Sequence, residues 1–394
     1  MGVFNWHTVK GLHALTCHLP RRDFDVRIDP GKQRTCRQTR MQDPARKYRR
    51  FRQFSLTALL GFVGSVCIGL GYFCNRGHMQ ARAVSSIRRC GGYLYYSYQR
   101  QSPGSYDLKT PPPTPTWMRS ELGDDLFYSI VGVDLTRCAV DDALLRSLVT
   151  LRTLEDLSLC ETWIDDAQLK TLLGSRSLVR LSLKDTRITD KGLAHLKGLE
   201  NLQSLDLRHC EVRGEGLLQL AECSELRWLD LSYTELDDEC VDWISKFPRL
   251  EHLGLASTRI SDATALALEN LTRLQSLGLS GTNFTVSGLR RLSSLKSLDN
   301  LDLSYTNTDD DVLRQFASSL KRLERLDLSH TDVSDDGIQR LGSLSTLVHL
   351  DLQCFDCDEF TENDDYSMLQ HVMRVTNDGV QRLRQTLPRC TILH

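Results

Sequence analysis

This chain is as informative in what it lacks as in what it carries. It has no Gly-Lys phosphate loop, no G-x-S-x-G elbow and no H-E-x-x-H helix, so phosphoryl transfer, serine hydrolysis and zinc proteolysis are without their usual residues. Its only C-x-x-C, Cys354 to Cys357, has no second pair at zinc spacing and no thioredoxin-like surroundings. The acidic run beside it, with Asp356, Asp358, Glu359, Glu362, Asp364 and Asp365, lacks the D-x-D-x-D-G order of a calcium loop. The other carboxylates do not form an irregular cluster of the kind a catalytic site needs. Asp206, Asp230, Asp302, Asp327 and Asp351 return because the phrase LDLS returns. No catalytic residue, cofactor or metal ligand is expected, and nucleic acid is not expected as a partner.

What the chain does have is a period. Leu154, Leu178, Leu202, Leu226, Leu250, Leu274 and Leu298 are spaced by 24 residues, Leu323 and Leu347 follow after a one-residue slip, and Leu387 closes the series. In the unit Leu178 to Asn201, Leu178, Leu181 and Leu183 mark a short strand, because alternate side chains of a strand share a face. Thr186 and Ile188 turn the chain, Asp190 stands where a helix N-cap is wanted, and Leu193, Leu196 and Leu199 follow at helical spacing. One such unit buries too little to fold alone, since neighbours must cover both of its flanks. Eleven or so units, with strands about 4.8 Å apart, predict an α/β solenoid with a curved parallel sheet on the order of 50 Å long.

The phrase L-x-x-L-x-L-x-x-T/C-x-I-T/S-D-x-G-L resembles the leucine-rich repeats, in particular their cysteine-containing, ribonuclease-inhibitor-like branch, from about Phe127 to His394. Where that family usually has Asn or Cys, this chain has Thr162, Thr186, Thr234, Thr258, Thr282, Thr306 and Thr331, with Cys138 and Cys210 as substitutes. A small inward polar group there can bond backbone groups of the tight turn. Phe355 breaks the ladder, and Arg213-Gly214-Glu215 and Thr285-Val286 lack the Asp, so looser turns are expected in those coils. Cys223 falls where other coils carry Leu271 and Leu344 and reads as a small buried hydrophobe.

Charge divides the chain. Residues 1–100 hold 18 Lys+Arg against 4 Asp+Glu, and the remainder 31 against 47. The basic part surrounds one apolar run, Ser55 to Cys74, long enough to predict a single transmembrane helix. A cleaved signal peptide would want a cleavage site closer than Ala81-Arg82-Ala83, and a lipoprotein a small residue before its cysteine, where Phe73 and Val66 stand instead. The twenty residues before Ser55 carry seven Lys+Arg (Arg37, Arg40, Arg46, Lys47, Arg49, Arg50, Arg52) and the twenty from Cys74 carry four (Arg76, Arg82, Arg88, Arg89). That bias predicts a cytoplasmic amino terminus and repeats outside the cytoplasm.

The segment from Met41, MQDPARKYRRFRQFSL, resembles the start of bacterial membrane-anchored leucine-rich repeat proteins, which makes Met41 an expected initiator. Gly61, Ser65 and Gly69 form a small-residue stripe on which two membrane helices could pair as a homodimer. The expected organisation is therefore a basic, disordered cytoplasmic segment 1–54, a membrane helix 55–74, and a juxtamembrane part 75–100 with a helix from Met79 to Cys90 and a strand from Tyr93 to Tyr98 that could cap the first coil. A stiff Pro-rich linker 101–119 follows, then the repeat domain 120–394, opened by a helix from Ser120 to Tyr128 and carrying an acidic insertion at about 355–374.

Partners of the family usually sit on the concave sheet. The expected contact residues are Arg208, His209, Trp228, Asp230, Tyr233 and His252, then a smooth field of Gly254, Ala256, Ser257, Ser276, Gly278, Ser280 and Gly281, and beyond it Asn300, Tyr305, Arg325 and His330. The leading expectation is a membrane-tethered, non-enzymatic scaffold for a protein, peptide or glycan. An intracellular adaptor of the ubiquitin-ligase type and an enzyme or metal site at the Cys354 loop are the alternatives.

Overall fold

In the computed structural model, residues 56–122, 127–354 and 374–394 are described. The chain divides into two units, 1–63 and 64–394; of the first, only the opening of one helix is described.

Among the described residues, eleven parallel strands of three to five residues stack in chain order: β4 (Ile130–Asp134), β5 (Asp156–Ser158), β6 (Arg180–Ser182), β7 (Ser204–Asp206), β8 (Trp228–Asp230), β9 (His252–Gly254), β10 (Ser276–Gly278), β11 (Asn300–Asp302), β12 (Arg325–Asp327), β13 (His349–Asp351) and β14 (Thr391–Leu393). Before them, β1 (Tyr93–Tyr96) pairs antiparallel with β4, and β2 (Arg100–Ser102) and β3 (Ser105–Tyr106) form a separate hairpin. The middle apolar residue of every coil, a leucine from β5 to β13, pairs with its equivalent: Leu181 with Leu205, Leu229 with Leu253, Leu301 with Leu326. These leucines are almost completely buried and form one continuous core with the leucines that follow each strand. The one-residue slip after Leu298 leaves the strand register untouched, because the ten-residue helix Asp310–Ser319 takes up the extra residue on the convex side.

After each strand from β4 to β12 the chain turns through one left-handed residue: Arg137, Glu161, Asp185, His209, Tyr233, Ser257, Gly281, Tyr305 and His330 all have φ between 52° and 63°. The next residue is the recurring Thr. Thr162, Thr186, Thr234, Thr258, Thr282, Thr306 and Thr331 each donate a hydroxyl to the leucine carbonyl three residues earlier, at 2.6 or 2.7 Å. Leu183 O also accepts from Cys210 Sγ and Leu279 O from the Thr282 N–H; for the others the hydroxyl meets a carbonyl that the tight turn leaves facing inward. Thr306→Val is expected to cost about 1–3 kcal/mol, read as a lowered urea midpoint at unchanged slope, because Leu303 O and Thr308 Oγ1 both lose their partner while the shape is kept.

The aspartate after Thr or Ser is not the N-cap expected from the sequence. Thr189 caps the helix Asp190–Leu193, and Asp190 is its first residue. The Asp instead reaches sideways to the next coil. Asp166 accepts from the backbone N–H and hydroxyl of Thr189 at 2.9 and 2.6 Å; Asp262 does so from Thr285, Asp310 from Ser334 and Asp335 from Thr376. The glycine two residues on, as in Gly192 or Gly288, leaves room for the neighbouring carboxylate. The motif T/S-D-x-G is thus a staple between coils. Its absence at Val286 does not loosen that coil, whose helix Val286–Arg291 is capped by Thr285. At Glu215–Glu222 the convex element tightens to a 3-10 helix behind Gly214, which has φ of 116°.

The amino-terminal expectations need correction. The helix α1 (Leu56–Arg89) runs on from the apolar run through Asn75, Arg76, His78 and Gln80, and four glycines (Gly61, Gly64, Gly69, Gly71) dilute its apolar part. Among the described residues no helix is long and apolar enough to cross a membrane. The single-pass span at 55–74 and the topology with a cytoplasmic amino terminus and extracytoplasmic repeats are thereby overturned, and nothing shows the helix-paired homodimer. The far end of α1 buries Ala83, Val84 and Ile87 in the repeat core, and Gln80 Nε2 donates to Tyr128 O at 2.5 Å. Nor is 101–119 simply an extended linker: it holds most of the β2–β3 hairpin and, with Thr116–Leu122, the start of a short helix. Residues 1–55 with Met41, and the acidic insertion with Cys357 and His371, lie outside the described residues.

Candidate functional site

The predicted contact residues separate into two kinds of position. Trp228, Asp230, His252, Asn300 and Arg325 stand on strands, and Arg208 just after one; His209, Tyr233, Tyr305 and His330 occupy the left-handed turn at the edge of the sheet. The 24-residue repeat places equivalent positions directly over one another, and this builds stacked rings. Trp228 and His252 lie parallel with centroids 4.9 Å apart, His209 and Tyr233 at 4.4 Å, and Tyr305 and His330 at 4.2 Å.

Coils 7 to 9 in strand numbering carry the denser group. Arg208 Nε and one terminal nitrogen grip Asp206 at 3.0 and 2.8 Å, and Asp230 lies 3.6 Å away. The hydrogen bonds it donates to Asp206, opposed by burial and aided by both carboxylates, push the guanidinium pKa up and keep it charged. Burial pushes the His252 imidazole below its usual pKa, against the pull of Asp230 and with the help of Arg208, so it is neutral at pH 7. Gly254 is less a smooth floor than a socket: a Cβ there would lie 2.2 Å from Asp230 Oδ1. Gly278 does face open space, with only Gly254 Cα at 3.9 Å.

The second group, Asn300, Tyr305, Arg325 and His330, is set apart by β10. His330 is 4% exposed, packed under Tyr305 with Cys354 Sγ at 3.8 Å from its Nδ1, so it supports Tyr305 rather than meeting a guest as expected. Asn300 Nδ2 donates to Ser276 Oγ at 3.0 Å. Asp302, Asp327 and Asp351 are in register on three adjacent strands. Burial first, and then its two carboxylate neighbours, raise the Asp302 pKa against the hydrogen bonds from Ser304. A folded pKa above the unfolded value near 3.9 means the protonated carboxyl stabilises the fold fully below that value and that this is lost as pH rises through the folded one. Asp302→Asn is expected to raise the melting temperature at pH 7 by roughly 1–3 °C and to change it little at pH 3.

Two features were not foreseen from the sequence. The β2–β3 hairpin folds onto the first coils: Tyr106 stacks on Tyr95 with centroids 4.5 Å apart, its hydroxyl bonds Asp156, Arg180 also pairs with Asp156, and Arg100 holds Glu155 at 2.6 Å. Burial and the Asp156 bond push the Tyr106 phenol well above its usual pKa. Between this hairpin and Trp228 lies an open groove of about 310 Å³, floored by Arg180, Ser182 and Asp206. Nothing periodic announces the hairpin in the sequence. Trp163, 75% exposed with the Arg187 guanidinium 4.4 Å over its ring, sits on the loop edge outside the expected lattice. It was detectable as the one aromatic at a position where other coils carry Arg187, Glu211, Glu235 or Arg259. Among the described residues no group of three or more His, Cys, Asp or Glu is placed to hold a metal ion.

A family model described as Leucine Rich repeat matches residues 174–196, 198–221 and 321–342. No curated protein matches. Among solved structures the chain is similar to internalin InlF from Listeria monocytogenes str. 4b F2365 (16% identity, 70% of this chain and 92% of that one, TM-score 0.40). It is similar also to internalin C2 from the same strain (26% identity, 54% and 84%, TM-score 0.36). A third similar structure is that of a TLR13–ssRNA13 complex (19% identity, 65% of this chain and 41% of that one, TM-score 0.43). With the 24-residue period, the in-register parallel strands and the family model in agreement, the chain carries leucine-rich repeats stacked coil on coil.

Proposed function

We propose that the protein is a non-enzymatic binder that holds an extended peptide segment of a partner protein across β7 to β9. The observation that carries this reading is the pair of stacked rings in adjacent coils, Trp228 on His252 and His209 on Tyr233, beside an arginine whose charge is already met by Asp206 and Asp230. Trp and Tyr are the side chains that most often anchor interfaces, and rings held in place before binding lose little freedom on contact. Arg208, pre-paired and half-exposed, can turn donors toward peptide carbonyls without a buried unpaired charge. The groove toward the hairpin extends the same surface. The sheet carries more carboxylate than cation, which disfavours a phosphate backbone as guest.

The test is selection of a random peptide display library on the full chain, beside the Trp228→Ala, Tyr233→Ala double variant and a glycan array. Enrichment of one sequence family by the wild type alone supports the reading. Equal enrichment by the variant, or glycan binding without peptide binding, overturns it.

A further inference from the structure

Cys90 and Cys138 are 48 positions apart in sequence and side by side in the fold. Cys90 follows the last residue of α1, partly buried against the repeat core, with its thiol donating to Ile87 O at 3.0 Å. Cys138 takes the recurring Thr position of the first coil and is 7% exposed. The turn after α1 lies directly on the residues that lead to Cys138: a Cβ on Gly92 would meet Leu135 Cδ2 at 2.6 Å and Asp134 O at 3.0 Å. Cys138 N–H bonds back to Leu135 O at 2.9 Å, which keeps its thiol beside the residue that the Gly92 turn touches, and the Cys90 thiol acts electrostatically on it. Other buried cysteines do not share this arrangement, since Cys210 and Cys223 donate to the carbonyls of Leu183 and Leu196.

We propose that Cys90 and Cys138 are a disulfide site, closed by a small-molecule disulfide such as oxidised glutathione, that ties the end of α1 to the first coil. Cys90, the more exposed, attacks first: its thiolate forms a mixed disulfide and releases one glutathione thiolate. Cys138 then attacks the Cys90 sulfur and expels the second. Two protein thiols and one glutathione disulfide become one protein disulfide and two glutathione thiols, the two protons passing to the departing sulfurs. Burial, then Cys90 itself, holds the Cys138 thiol up at about 11, which makes it the slower, resolving partner. The closed loop contains β1, the β2–β3 hairpin and the helix Thr116–Leu122, so oxidation fixes the wall of the concave groove.

The experiment treats the full chain with oxidised glutathione, alkylates it without reduction and maps the peptides by mass spectrometry. The expected product is a peptide pair joined through Cys90 and Cys138, lost on dithiothreitol and absent in C90S and C138T. Recovery of both cysteines singly alkylated, or each carrying its own glutathione, overturns the proposal. Cys138→Thr restores the residue that seven other coils use, so folding is not at stake, and it supplies the second readout. Oxidation should raise the melting temperature of the wild type by roughly 5–10 °C and leave that variant unmoved. An equal rise in both would overturn it as well.

Discussion

Gly216→Ala is expected to destabilise the protein by about 3 kcal/mol or more, the high end for an added methyl in a packed interior. A Cβ at this position would lie 2.4 Å from Asp190 O, 2.7 Å from Asp190 Cα and 2.9 Å from Asp190 C, all backbone atoms of the preceding coil. Those atoms cannot swing aside as a side chain can. Asp190 is also held in place by its own carboxylate, which accepts from the backbone N–H groups of Arg213, Gly214 and Gly216 at 2.8, 3.0 and 2.7 Å. Relief therefore requires prising one coil from the next and breaking three hydrogen bonds with it. Gly288→Ala makes the informative comparison. Its Cβ would meet Asp262 Oδ1 at 2.0 Å, and that carboxylate can rotate away, giving up its bonds to Thr285 for about 1–3 kcal/mol. Urea unfolding of the two variants should rank Gly216→Ala well below Gly288→Ala; equal midpoints would mean the coils are not in such close backbone contact.

The second large effect concerns binding. Trp228→Ala with Tyr233→Ala is expected to weaken a selected peptide by about 100-fold while lowering stability by less than about 1 kcal/mol, measured by titration and by thermal melting of the same preparations. The separation follows from placement. Tyr233 is 52% exposed and Trp228 half-buried, so neither is a core residue, and each stacks on a histidine rather than on the leucine ladder. Each ring removed takes away an anchor face on the guest side and little on the core side. A matching loss from Tyr305→Ala, three coils further along, would move the site to the second group of residues.

Acid should act through the staples as well. Asp238 and Asp335 are held below the usual carboxylate range by hydrogen bonds, from Ser261 and Thr264 in the one case and from Thr376 and Arg382 in the other, which outweigh the opposing effect of burial. Their contribution is present above the unfolded pKa and is lost as pH falls through the folded one, opposite in sign to that of Asp302.

How much of this was legible beforehand varies from residue to residue. Leu178, Leu181 and Leu183 announced an inward-facing strand, and Thr186 a turn that satisfies its own carbonyl, because both depend on neighbours a few positions away. Asp190 was assigned to the right place and the wrong partner: within one repeat only its own helix is in view, whereas the groups it holds belong to the next coil. His330 reads as a surface residue from its position in the repeat, yet Tyr305 covers it. The apolar run before Cys74 met a length criterion, yet among the described residues no helix is long and apolar enough to cross a membrane.

Periodicity by itself determined that this polypeptide winds into stacked coils with a parallel sheet and a leucine core, because a regular spacing of apolar residues admits few other ways to bury them all. Only the tertiary structure decided which aspartates join neighbouring coils, which rings stack into platforms, and that a hairpin between β1 and the first repeat strand walls one end of the groove. Those outcomes depend on distances between residues some 24 or more positions apart, which a repeating pattern implies on average and cannot specify one side chain at a time.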